Sequence, residues 1–103
     1  AQGAWDLVIS IEVAEHIAPE RSVELVETLA ARARRAIFFT AAPPGQRGRG
    51  HINCRPHQEW LGWFEKRGWT ADEEATGAIQ GDLAELEEAT WLRRNSFLLR
   101  RAW

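Results

Sequence analysis

Two short apolar runs, WDLVISI (Trp5–Ile11) and AIFFTA (Ala36–Ala41), flank a segment of helical periodicity, and this succession constrains the fold more than any other feature. Each run is continuous rather than alternating and rich in β-branched or aromatic residues, which predicts strands covered on both faces. Between them, Pro19 and Glu20 suit a first helical turn, and Val23, Val26, Leu29, Ala30 and Ala33 recur at helical spacing. Arg32, Arg34 and Arg35 gather at the end, where cations oppose the negative pole of the helix dipole. Strand, helix and strand in this order read as a right-handed βαβ crossover with the two strands parallel.

Next comes a loop heavy in Pro, Gly and Arg, APPGQRGRGHINCRP (Ala42–Pro56), a composition that a packed element does not tolerate. HQEWLGWFEKRG resumes a helix, with Trp60, Trp63 and Phe64 as its apolar stripe and Gly68 expected at C′. Trp69–Thr76 is predicted as a strand on a partial alternation. Asp82 and Glu85, three apart, predict a capping-box start for a helix reaching Arg94, with Asn95 ending it. SFLLRR (Ser96–Arg101) closes the chain as a strand. The predicted order is β-α-β-α-β-α-β in one domain, with no repeat, low-complexity tract or linker.

The size of 103 residues suits one small domain, and 45% hydrophobic with 27% charged residues describes a folded chain rather than a disordered one. A net charge of −2 supplies no bulk attraction to nucleic acid or an acidic membrane, so a nucleic-acid role for Arg47, Arg49 and Arg55 is disfavoured. Cys54 is the only cysteine and has no internal disulfide partner, which fits a reducing compartment. No apolar run approaches the ~20 residues of a membrane span, and the N-terminus lacks the basic region of a signal peptide. These features predict a soluble cytoplasmic protein without membrane contact. The absence of methionine, with a strand opening almost at once, leads us to expect a piece of a longer protein.

The chemistry-bearing stretch is SIEVAEH (Ser10–His16). If a helical turn follows the strand, Glu12, Glu15 and His16 fall at i, i+3 and i+4 on one face. Ligands of open α/β sheets bind outside the carboxyl ends of the strands, and two carboxylates with an imidazole there suit a divalent cation such as Mg²⁺ or Mn²⁺. The same spacing also describes solvated loop residues, with His16 bonded to a backbone carbonyl. His51 follows the loop after the second strand and is placed to face this turn across the sheet's carboxyl edge. His51-x2-Cys54-x2-His57 has a superficial zinc spacing, but three ligands do not close a structural site and no second cysteine exists. PPGQRGRG lacks the Lys-Ser/Thr of a phosphate-binding loop and reads better as a mobile lid. Trp5 is expected to flank its strand, Trp60 and Trp63 to pack in a core or interdomain contact, and Trp91 and Trp103 have no assigned place.

Taken together, WDLVISIEVAEHI, IFFTAAPPGQRGRGHINCRPHQEW and WFEKRGW resemble the C-terminal half of class I S-adenosylmethionine-dependent methyltransferases. The resemblance covers nearly the whole chain and is nearest to the branch with a GHIN segment after the fifth strand. It implies an α/β fold with a partial Rossmann-like sheet, in which residues 1–103 are the C-terminal portion of a single methyltransferase domain. Trp5–Ile11, Ala36–Ala41, Trp69–Thr76 and Ser96–Arg101 would be strands four to seven, the last antiparallel and inserted between the fifth and sixth.

By the same resemblance, Ile11, Glu12 and Val13 would border the cofactor S-adenosylmethionine, and His16 becomes the candidate catalytic group. Some relatives with this Glu-x-x-Glu-His pattern, the small-RNA 2′-O-methyltransferases among them, bind a divalent metal through it. Glu12, Glu15, His16 and His51 are therefore candidate ligands for Mg²⁺ or Mn²⁺, which would polarise an acceptor hydroxyl. The implied reaction is methyl transfer to an oxygen or nitrogen of a small-molecule acceptor. The family's glycine-rich cofactor loop and the acidic residue after its second strand are not in these residues. The missing N-terminal half of the domain is thus an expected partner, and this piece alone is expected to bind S-adenosylmethionine weakly or not at all. The rival reading is a non-catalytic α/β module that associates through an exposed strand edge, since an uncovered apolar edge invites pairing.

Overall fold

The computed structural model describes residues 4–46, 48–86 and 90–102. β1 (Trp5–Ser10) leads through two single turns of 3-10 helix, Ala14–His16 and Pro19–Arg21, into α1 (Ser22–Arg32) and β2 (Ala33–Thr40). α2 (His57–Glu65), β3 (Trp69–Ala71), α3 (Glu73–Leu83), α4 (Thr90–Asn95) and β4 (Ser96–Arg101) complete the chain. The sheet order is β1-β2-β4-β3. β1 and β2 are parallel, and β4 is antiparallel to both β2 and β3. The last strand thus lies between its two predecessors, as expected, and the architecture is a mixed four-stranded α/β fold.

One face of the sheet carries the core. Val26 and Leu29 of α1, and Trp60 and Phe64 of α2, close over Ile37, Phe39, Trp69 and Leu99. Phe39 meets Trp60 at 5.4 Å and Phe64 at 5.2 Å between ring centroids. Trp63, the third member of the predicted stripe, is half-buried, edge-on to Trp60 and beneath the Arg55 guanidinium. Ala33, expected as the last apolar position of α1, is instead the first residue of β2 and fully buried.

Three expectations require correction. β1 is not covered on both faces. Trp5, Leu7 and Ile9 are 62%, 53% and 59% exposed, while Val8 is half-buried and Ser10 buried. α1 and α2 pack on the inner face, and α3 packs instead on β4 and α4, leaving the outer side of β1 bare among the described residues. The second strand edge of β1 pairs with nothing among the described residues.

The predicted strand Trp69–Thr76 stops at Ala71, because Asp72 caps α3. Its Oδ1 accepts the Ala75 N–H at 2.9 Å, and Glu73 and Glu74 follow in the first turn, where carboxylates favour the helix dipole. Asp82 does not open a helix but lies in the last turn of α3, where its carbonyl accepts the Glu85 N–H. Residues 87–89 of that expected helix lie outside the described residues, and α4 does end at Asn95. Gly68 takes the positive φ expected of a helix terminator (83°), two residues beyond the C-cap Lys66. No described helix is long and apolar enough to cross a membrane.

Candidate metal centre

The turn after β1 is built on a strained residue. Glu12 has φ 52°, a left-handed conformation that costs a non-glycine residue on the order of 1 kcal/mol. Two hydrogen bonds to the last residue of β2 hold it there. The Glu12 N–H donates to Thr40 Oγ1 at 2.8 Å, and the Thr40 hydroxyl donates to Glu12 Oε2 at 2.7 Å. The chain then enters the 3-10 turn Ala14–His16 rather than the fuller helical turn the spacing predicts. The turn carries Glu15 and His16, while Glu12 precedes it and is seated by its bonds to Thr40.

The opposite wall is the segment Gly48–Asn53. The Ile52 and Asn53 N–H groups both donate to the Glu15 carbonyl at 3.0 Å. Buried Asn53 donates to Ala14 O (3.3 Å) and Ser22 Oγ (2.8 Å), and its Oδ1 accepts from Arg55 Nε (2.7 Å). The loop is thereby fastened along the acidic turn, with His51 Nε2 3.9 Å from Glu15 Oε2. His16 Nδ1 lies 2.9 Å from Gly50 O and His51 Nδ1 3.1 Å from Gln46 O, and the two rings meet edge to face at 4.9 Å.

Among the described residues the recess is lined by two carboxylates, Glu12 and Glu15, and by no lysine or arginine. Glu15 is fully buried, and neither carboxylate oxygen has a hydrogen-bond partner among the described residues. An uncompensated buried carboxylate costs several kcal/mol after relaxation. Burial, with the Glu15 charge adding to it against the Thr40 hydrogen bond, pushes the Glu12 carboxyl above its ordinary range. Burial first, and then the Glu15 and Glu12 charges, also push the Cys54 thiol up, disfavouring a reactive thiolate.

A cation would answer this deficit, and the imidazoles are set to bind one. Carbonyls only accept, so Nδ1 is the donor in both rings, and in the neutral imidazole Nε2 keeps its lone pair. This outer-sphere hydrogen bond is the usual means of orienting a metal-binding histidine. Ligand atoms of Glu15, His16 and His51 lie within 4.8 Å of one another. Two ligands about 2.1 Å from one ion are at most about 4.2 Å apart, so a small closure of the side chains suffices. The mixed nitrogen and oxygen donors suit Mn²⁺ better than Mg²⁺, which prefers oxygen alone.

Of the residues expected from sequence, Glu15, His16 and His51 come together. Glu12 lines the same recess of about 250 Å³ with Gln46 and Trp91. Ile11 and Val13 flank Glu12 and are 42% and 44% exposed. His57 is committed elsewhere, with Nε2 2.8 Å from Ala41 O and its ring edge-on to Phe97, and neither it nor Cys54 joins the cluster. Arg47 and Trp103 lie outside the described residues.

Sequence reasoning missed Thr40, Gln46, Asn95 and Trp91, and it gave the loop glycines another purpose. A side chain at Gly48 would collide with the His51 imidazole, and one at Gly50 (φ 76°) would sit 3.1 Å from His16 Nδ1. The glycines let backbone approach both rings. Gly48→Ala is therefore expected to displace His51 and weaken Mn²⁺ binding by about tenfold or more, as loss of an orienting contact does. Calorimetric titration checks this, with the melting temperature of the metal-free chain shifting little.

No protein-family model, no curated protein and no solved structure matches the chain.

Proposed function

We propose that this chain is the acceptor-side portion of a cytoplasmic class I S-adenosylmethionine-dependent methyltransferase domain, with a Rossmann-like sheet completed by further strands. A divalent cation, Mn²⁺ before Mg²⁺, would be held by Glu15, His16 and His51, with Glu12 beside them. The observation that carries the reading is the buried Glu15 carboxylate, without a hydrogen bond among the described residues, beneath two imidazoles at the carboxyl end of a parallel strand pair. The inserted antiparallel β4 and the motifs quoted above support the methyltransferase assignment.

The bound cation supplies Lewis acidity toward an acceptor hydroxyl. The chain's own residues do the rest. Glu12 and Glu15 neutralise the site, and Gly50 O and Gln46 O orient the imidazoles; with Nδ1–H bonded to Gly50 O and Nε2 given to the cation, His16 serves as a ligand rather than as the base. Ile11, Glu12 and Val13 would border the cofactor. The acceptor is a small molecule methylated on oxygen, with nitrogen as the alternative atom.

The test uses the gene product read in frame from upstream of Ala1. Transfer of labelled methyl from S-adenosylmethionine to a panel of hydroxyl and amine acceptors is expected, and EDTA should suppress it. Activity that survives both chelator and the combined Glu12→Ala, Glu15→Ala, His16→Ala changes would remove the cation from the mechanism. An upstream frame with no strand and glycine-rich turn would instead favour the second reading, a module that associates through β1. That reading draws on the bare outer face of Trp5, Leu7 and Ile9.

A further inference from the structure

We propose that Gln46 and Asn95 form a positioning pair that sets the tautomer of His51 and seats Glu12, so controlling how the cation site presents its ligands; this rests on the cation reading above. Gln46 stands in the Pro-Gly loop, and three hydrogen bonds give it three tasks. Its carbonyl accepts the His51 Nδ1–H at 3.1 Å. Its Nε2 donates to Glu12 Oε1 at 3.4 Å, the long end of the range. Its Oε1 accepts from Asn95 Nδ2 at 2.8 Å. Asn95 is 2% exposed at the α4–β4 junction, and its own carbonyl accepts the Ala41 N–H at 3.4 Å.

Polarity passes along this chain of bonds. A glutamine amide can face either way, but the Asn95 donor requires Oε1 toward itself, which turns the NH₂ group toward Glu12. With Thr40 on Oε2 and Gln46 on Oε1, both carboxylate oxygens of Glu12 are held. The same anchor places the Gln46 carbonyl opposite His51 Nδ1. If that carbonyl drifts, the imidazole regains its other tautomer, and Nε2 then offers a proton instead of a lone pair. The last helix of the chain thereby reaches the cation site without touching an ion.

Gln46→Leu removes both side-chain bonds from a half-buried loop position and carries the test. Asn95→Asp is the companion. An acceptor at that position turns the Gln46 amide around, so that Oε1 faces the Glu12 oxygen. Because Asn95 is buried, its variants are read only where thermal melting shows an intact fold.

Long-range ¹H–¹⁵N spectra of the metal-free full chain, above the titration of its imidazoles, read the tautomer directly. The native chain is expected to show His51 as the Nδ1–H form and Gln46→Leu a mixture, with a melting temperature within a few degrees of native. Mn²⁺ affinity should fall about 10–100-fold in Gln46→Leu. It should fall in Asn95→Asp too, despite the added negative charge. The inference is overturned if native His51 is not in the Nδ1–H form, or if Gln46→Leu keeps both the native tautomer and native Mn²⁺ affinity. A tautomer that changes as expected in a chain that binds no Mn²⁺ would sustain the positioning pair and sink the cation reading.

Discussion

Glu15→Gln is expected to raise the stability of the metal-free chain while abolishing its affinity for Mn²⁺. The substitution keeps the side chain's shape and replaces a fully buried carboxylate that has no hydrogen bond to either oxygen among the described residues. Relief of that burden is expected to contribute about 1–3 kcal/mol, several degrees in melting temperature for a domain of this size. The loss of a direct ligand should exceed the 10–100-fold that loss of an outer-sphere partner costs. Opposite signs for stability and binding mark a residue retained for function at the expense of the fold. A melting temperature that falls on this substitution would show that Glu15 is a satisfied structural group. Differential scanning calorimetry and Mn²⁺ titration on the same preparation decide it.

Asn53→Ala is expected to produce the largest loss of stability away from the aromatic core. Asn53 is 4% exposed and serves Ala14 O, Ser22 Oγ and Arg55 Nε at once. Ser22 Oγ and the Arg55 guanidinium each keep a bond to the Pro19 carbonyl, so the cost is less than three orphaned groups. The Ala14 carbonyl likewise keeps the Ile17 N–H at 3.4 Å, so roughly 1–3 kcal/mol is expected, from the lost hydrogen bonds and the cavity. The turn carrying Glu15 and His16 would lose its fastening to the loop carrying His51, so Mn²⁺ affinity should fall with stability. Asn53→Asp, which keeps the acceptor for Arg55 and loses both donors, should show most of the same defect. Denaturant unfolding of both variants measures it, and a loss below about 0.5 kcal/mol, the range of an ordinary surface change, would contradict the fastening.

How much of this was legible beforehand depends on whether the signal was local. α1, α2 and β4 could be read from helical spacing and from a terminal apolar run, because periodicity is a property of neighbours. Glu15 and His16 could be read because they are adjacent in one turn, and His51 because it follows a strand's carboxyl end. The bare outer face of β1 could not, since a continuous apolar run is the same string whether one face is covered or two. The start of α3 was hidden because Trp69–Ala71 and the capping Asp72 run together without a breaker. The Gln46–Asn95 bond joins residues 49 positions apart, and Thr40 reaches Glu12 across 28. Neither carries a local pattern. The loop glycines were visible, but their purpose, room for two imidazoles, exists only once the loop is folded against the turn.

Electron paramagnetic resonance of Mn²⁺ titrated into the chain, native beside Glu15→Gln, tests the central claim most directly. The account predicts that the native chain removes one equivalent of the free Mn²⁺ signal and that Glu15→Gln removes none at the same concentrations. A free signal undiminished by the native chain, or diminished equally by both, would contradict a cation site built on Glu15, His16 and His51.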